Sequence, residues 1–129
     1  MKQGFSLLEM LVVIVIVTVL AGIALPNYTR SAERARMRDA ESKLNLVFQA
    51  QRIYRLDNGI YGTGAQLIPN YLPNPDTAEW VFTDAAAPTA AAFSVRATRQ
   101  TGAYATQTIT IDQTGALAYS ARYAGGIPQ

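Results

Sequence analysis

The hydrophobic positions of this chain fall into three regimes. From Phe5 to Leu25 nearly every residue is apolar, and the one charge is Glu9. The many β-branched residues there, Val12 to Val17 and Val19, would favour a strand in water. The segment is about 21 residues long, close to the roughly 20 that an α-helix needs to cross a bilayer core. In lipid a lone segment can satisfy its backbone only as a helix. From Ala32 to Leu56 the pattern becomes amphipathic. Met37, Ala40, Leu44, Val47, Gln51 and Tyr54 recur at helical spacing with Phe48 beside them, while Arg34, Arg38, Glu41, Arg52 and Arg55 lie opposite. Asp57-Asn58-Gly59 then supplies a stop.

Pro26 interrupts the first two regimes. It removes a backbone donor and crowds the carbonyl one turn back, near Gly22, so either the helix ends there or it kinks there. The amphipathic pattern beyond favours continuation. The expectation is one helix over about 5–56, roughly 75 Å long at 1.5 Å per residue, with a flexible joint at Gly22 and Pro26.

Beyond Gly59 the period changes. Residues 57–78 carry Gly62, Gly64, Pro69, Pro73 and Pro75 and read as a loop with one helical turn around Ala65–Ile68. Period-two alternation then predicts strands at Glu79–Thr83, Ala92–Thr98, Tyr104–Asp112 and Leu117–Tyr123. Gln113-Thr114-Gly115 joins the last two as a hairpin. The tail Gly125–Gln129 is expected to be mobile. The apolar faces of the sheet over 79–123 and of helix 32–56 bury each other most economically by packing together. The predicted class is α+β: a long N-terminal helix with an antiparallel sheet of 3–4 strands on its C-terminal half.

Charge and composition narrow the chemistry. The net charge of +2 is too small to imply an acidic partner, and the chain has neither cysteine nor histidine. That removes a disulfide framework, the commonest general base and the commonest transition-metal ligand. No Gly-rich phosphate loop or paired carboxylates stand in for them, so no enzyme is expected. Asp76, Glu79, Asp84 and Asp112 show no calcium-loop spacing, so neither metal nor cofactor is expected. Arg30, Arg34, Arg36 and Arg38 could meet DNA phosphates or anionic lipid. The interleaved Glu33, Asp39 and Glu41 favour a solvated, partly salt-bridged helix face. Tyr54, Tyr61, Tyr71, Tyr104, Tyr119 and Tyr123 are expected as core and rim of the sheet-on-helix domain.

The start of the chain carries the sharpest signal. A secretory signal has a basic start, an apolar stretch and then a small-residue cleavage site. Here the small residue, Gly4, precedes the apolar stretch. Cleavage after Gly4 would discard the leader 1–4 and leave the apolar segment on the mature chain. Lys2 argues for a cytoplasmic N-terminus by the positive-inside bias, whereas the downstream arginines argue the reverse. Glu9 would cost roughly 2.5–3.5 kcal/mol at a membrane helix centre and less near the interface. Either it sits at headgroup level without a partner, or a cation neutralises it. The α-amino group that cleavage would create on Phe5 is the nearest cation, within one helix or between staggered copies.

Gly4-Phe5-Ser6-Leu7-Leu8-Glu9, followed by the apolar run and Pro26, resembles the start of type IV pilins and the related pseudopilins of type II secretion. The match covers about the first quarter of the chain. The resemblance implies that a prepilin peptidase cuts between Gly4 and Phe5 and that Phe5 is N-methylated. It implies a transmembrane or filament-core half over 5–29, a globular domain over 30–129, and Glu9 meeting the Phe5 amine of a neighbouring subunit. It also implies loss of regular helix near Gly22 and Pro26 on assembly. The partners implied are further copies in a helical homopolymer, the prepilin peptidase, the inner-membrane assembly machinery and, before assembly, the lipid bilayer. The chain would span the inner membrane once and end in an extracellular filament. Many pilins staple a C-terminal loop with a disulfide; this chain must hold its hairpin by pairing and packing. The first expectation is a structural pilus subunit; the alternatives are a secretion pseudopilin and a minor pilin for adhesion or DNA uptake.

Overall fold

The computed structural model of the chain describes residues 4–126. By contacts the chain divides into two compact units, Met1–Arg34 and Ala35–Gln129. One helix, α1 (Leu7–Asn58), contributes to both. It starts two residues later than the pattern predicts and ends two residues later. The helix runs without a break through Gly22 and Pro26. The stop is the predicted one: Gly59 takes a left-handed φ of 77°, its N–H bonds the Arg55 carbonyl at 2.8 Å, and glycine alone meets no steric cost there.

In the first unit the apolar residues face outward. An 18-residue window has a mean hydropathy of 2.8 and none of it is buried, and the helix is long and apolar enough to cross a membrane. Its one hydroxyl in mid-run, Thr18, donates back to the Ile14 carbonyl at 2.7 Å, so no polar hydrogen is left facing an apolar surrounding.

The second unit holds the core. Met37, Ala40, Leu44, Val47, Gln51 and Tyr54 of α1 are buried, the stripe that the helical period predicts, and Ala50 is buried with them. Against them lies a four-stranded antiparallel meander in the order β1 (Trp80–Ala86), β2 (Ser94–Arg99), β3 (Thr108–Asp112) and β4 (Leu117–Tyr119). Val95 pairs with Ile111 and Ala97 with Ile109 in adjacent strands, and all four side chains are buried on the face toward α1. Its alternation is the one read from the sequence.

β1 starts at Trp80 rather than Glu79 and β2 covers Ser94–Arg99 rather than Ala92–Thr98, and three further strand ends differ for a visible reason. β1 runs on to Ala86, because Asp84 still pairs with Val95 before a bulge. Tyr104–Thr106, expected at the start of β3, form part of the reversal instead. Gly102 and Thr106 both take positive φ, 80° and 69°, and the Thr106 N–H closes on the Arg99 carbonyl at 2.8 Å. The threonine alternation read upstream of Thr108 therefore stops where the chain must turn. β4 ends at Tyr119, not Tyr123. Ser120 terminates the ladder: its Oγ accepts the Thr108 N–H at 2.9 Å and donates to Gln107 Oε1 at 2.8 Å. A 3₁₀ helix over Ala121–Gly126 follows. Residues 127–129 of the tail expected to be mobile lie outside the described residues.

The hairpin tip and the loop are tied down separately. Gly115, at φ 80°, packs against Phe48: an added Cβ would stand 3.3 Å from its ring. Asp112 Oδ1 accepts the Thr114 N–H at 2.8 Å. The Thr114 hydroxyl and N–H hold the Asp112 carboxyl below its usual range. In the loop, α2 (Gly64–Leu67) forms one residue earlier than predicted and buries Leu67.

Candidate functional site

The residues singled out at the N-terminus lie on an exposed apolar helix. Phe5 is exposed and stands ahead of α1, whose first residue is Leu7. In the uncut chain Phe5 and Glu9 are therefore not one helical turn apart. Glu9 sits in the first turn of α1, where a carboxylate is favoured by the amide dipoles. It is exposed and makes no hydrogen bond or ion pair with the described residues. At Gly22 nothing outside the neighbouring helix backbone lies within 4 Å of where a Cβ would be. Glu9 and the hydrocarbon side chains around it thus present a surface with one acid and no internal partner.

In the second unit Asp39 and Glu41 of the arginine-rich stretch find partners outside the arginine cluster. Asp39 pairs with Lys43 at 3.1 Å. Glu41, expected on the solvent side, is half-buried and accepts the Tyr119 hydroxyl at 2.9 Å. This contact ties the helix to the last strand. Burial, with the Glu41 carboxylate, pushes the Tyr119 phenol up to about 12. Arg36 reaches across to Glu79 at 3.1 Å.

Glu79 also lies 3.7 Å from Arg99 Nη1. Arg99 is a buried cation that pattern reading misses. It extends the inward series Val95, Ala97 by one more step of two, so its spacing was legible but its charge argued against burial. The protein compensates with bonds from Nη1 to the Glu79 carbonyl at 3.1 Å and Thr101 Oγ1 at 3.2 Å. The guanidinium carbon lies 5.6 Å from the Trp80 ring centroid.

The tyrosines distribute as core and rim. Tyr54, Tyr61 and Tyr123 are buried, and Tyr71, Tyr104 and Tyr119 pack against them partly exposed. Tyr123 gets there from the 3₁₀ helix, stacked on Tyr104 at 5.6 Å. The four acids weighed for calcium stand in separate roles. Asp76 Oδ1 accepts the Phe82 N–H at 2.7 Å and Asp84 Oδ2 the Gly64 N–H at 3.1 Å. Among the described residues no group of three or more potential metal ligands converges.

At the end of α1 an open pocket of about 390 Å³ is lined by Arg52, Arg55, Leu56, Gly59 and Tyr61. Arg55 donates to the Tyr61 hydroxyl at 3.0 Å. Both arginines are exposed. The sequence places them on the polar face but gives no sign that a pocket forms beside them, because Tyr61 reaches it only through the loop.

Residues 1–25 match the prokaryotic N-terminal methylation motif. Residues 26–117, more than half of the chain, match the family model described as type IV minor pilin ComP, DNA uptake sequence receptor. The chain is 36% identical over 77 residues to type II secretion system core protein G of Aeromonas hydrophila, which is 60% of this chain and 54% of that protein. It is 38% identical over 74 residues to the same-named protein of Escherichia coli (strain K12), 57% of this chain and 51% of that one. It is 30% identical over 67 residues to the type IV major pilin protein PilA of Myxococcus xanthus (strain DK1622), 52% of this chain and 30% of that one. The chain spans about half the length of the secretion proteins it matches. With a methylation motif at its start, a long helix with an antiparallel sheet behind it, and a family match over 26–117, the chain belongs to the type IV minor pilin ComP, DNA uptake sequence receptor, family.

Proposed function

We propose that this chain is a minor pilin: a structural, non-catalytic subunit that joins a type IV pilus through residues 5–29 and captures DNA with its globular part. A prepilin peptidase cuts between Gly4 and Phe5 and methylates Phe5. The subunit waits in the inner membrane as a single-pass protein and is then drawn into a filament of like helices by the membrane assembly machinery.

The observation that carries the assembly reading is the unburied apolar surface of α1 with Glu9 at its start. An exposed apolar surface of that extent in water would be strongly unfavourable. Lipid covers it before assembly, and neighbouring helices cover it afterwards. Glu9 gains the Phe5 amine of a neighbour only in the second setting, which would select one axial register. Gly22 and Pro26 mark where the helix opens on assembly, since the proline lacks a donor there.

The match over 26–117 supports the minor-pilin reading with DNA as ligand. The similarity to type II secretion core protein G supports the second reading, a pseudopilin confined to the cell envelope. Shearing separates them. The chain recovered with sheared surface filaments, and Glu9→Leu inserted in the inner membrane but missing from that fraction, is the expected result. Recovery of the wild-type chain from the envelope alone would favour the pseudopilin. Normal incorporation of Glu9→Leu would overturn the role given to Glu9.

A further inference from the structure

We propose that the pocket at the end of α1 contacts phosphate, with Arg52 and Arg55 gripping the backbone of DNA; this rests on the DNA-capture reading above. The two arginines are three residues apart on α1, so their side chains leave the same side of the helix. Each guanidinium is held near an aromatic ring. The Arg52 head lies 5.8 Å from the Phe48 centroid and the Arg55 head 4.8 Å from that of Tyr61. The Tyr61 hydroxyl accepts from Arg55 Nη1 at 3.0 Å. Arg55 uses one donor there, and a guanidinium has five. Heads oriented in this way lose less freedom on binding than free surface arginines.

Neither arginine has a carboxylate partner among the described residues. The acid nearest in sequence, Asp57, takes the Tyr71 hydroxyl at 2.9 Å. The pocket is therefore cationic without internal compensation. Its floor is open at Gly59, where nothing lies within 4 Å of a would-be Cβ. Planar forks of this kind match the oxygens of a phosphate in pairs. Arg55 also sits in the last turn of α1, where its charge complements the helix dipole. That role needs no pocket and says nothing of Arg52, which lies one turn earlier.

The test uses the full chain in detergent and a short labelled duplex, with anisotropy titrations over a salt series. Wild-type affinity should fall steeply with salt. Replacing both residues, Arg52→Gln with Arg55→Gln, should weaken binding at least about tenfold and make the slope of log K against log salt shallower by about 2, near 0.9 for each phosphate left without its arginine. Arg52→Gln alone leaves the Tyr61 bond to Arg55 intact and should flatten the slope by about 1, with an unchanged melting curve. Arg96→Gln, exposed on the outer face of β2, should change neither. A wild-type chain that binds no duplex overturns the DNA reading and the pocket with it. A wild-type chain that binds, with the double variant equal in affinity and slope, overturns the pocket alone. Weaker binding with an unchanged slope also overturns it, as does a preference for polyglutamate over duplex, which would point to an acidic protein partner.

Discussion

Gln51 and Gly62 exchange a complete pair of amide hydrogen bonds. Gln51 Nε2 donates to the Gly62 carbonyl at 2.6 Å, and the Gly62 N–H donates to Gln51 Oε1 at 2.9 Å. A helix side chain thus serves as a strand edge for a loop that has no strand to pair with. Gln51 is 1% exposed, so neither loop group can turn to water instead. Gln51→Leu keeps the volume and removes both partners. It should destabilise the globular part by about 2–4 kcal/mol, the cost of two buried unsatisfied groups. Chemical denaturation followed by Trp80 fluorescence measures it; a loss under about 1 kcal/mol would mean the loop finds other partners.

Gly62 is also where a methyl group has no room. A Cβ there would stand 2.7 Å from Leu67 Cδ1 and 2.9 Å from Tyr54 Cε1. Gly62→Ala should cost about 1–3 kcal/mol through overpacking. Gly59→Ala has open space but a φ of 77°, and should cost about 1 kcal/mol through backbone strain alone. Thermal unfolding of the two variants, with the larger drop at Gly62, checks the ranking.

The Tyr119–Glu41 bond predicts an alkaline limit to stability. The phenol is raised from 10.0 to about 12 in the folded chain, through burial first and the Glu41 carboxylate second. A group raised on folding contributes stability that is complete below its unfolded value and is lost as pH climbs through the folded one. The loss should therefore fall between pH 10 and about 12. Unfolding midpoints of wild type and Tyr119→Phe should converge across that window; parallel curves would contradict the coupling.

Processing gives a prediction read by mass. Gly4→Leu should leave the leader 1–4 attached, and the chain should stay in the membrane fraction with Met1 intact. The wild-type chain should instead begin at N-methylated Phe5. A filament-borne Gly4→Leu chain starting at Phe5 would contradict the cleavage assignment.

Much of this molecule is legible along the chain. The apolar run to Leu25, the stripe Met37, Ala40, Leu44, Val47 and Tyr54, and the alternation Val95, Ala97 against Ile109, Ile111 each follow from backbone periodicity. Periodicity is local, so those elements needed no tertiary knowledge. The motif from Gly4 to Glu9 was equally visible, because a small residue before an apolar run and an acid inside it are both improbable without a purpose. Element ends were less visible. Tyr104–Thr106 and Tyr123 continue an alternating pattern, yet one belongs to a reversal and the other to a 3₁₀ helix.

What the sequence determined by itself is where the apolar surface lies and which face of each element is buried, since side-chain transfer out of water acts position by position. Tertiary structure alone decided how the polar groups are matched. The partners of Gln51, Glu41 and Arg99 stand 11, 78 and 20 residues away, and the pocket of Arg52 and Arg55 needs Tyr61 brought back by the loop. A hydrogen bond depends on direction and a few tenths of an ångström, and no pattern along a chain carries that until the fold has closed.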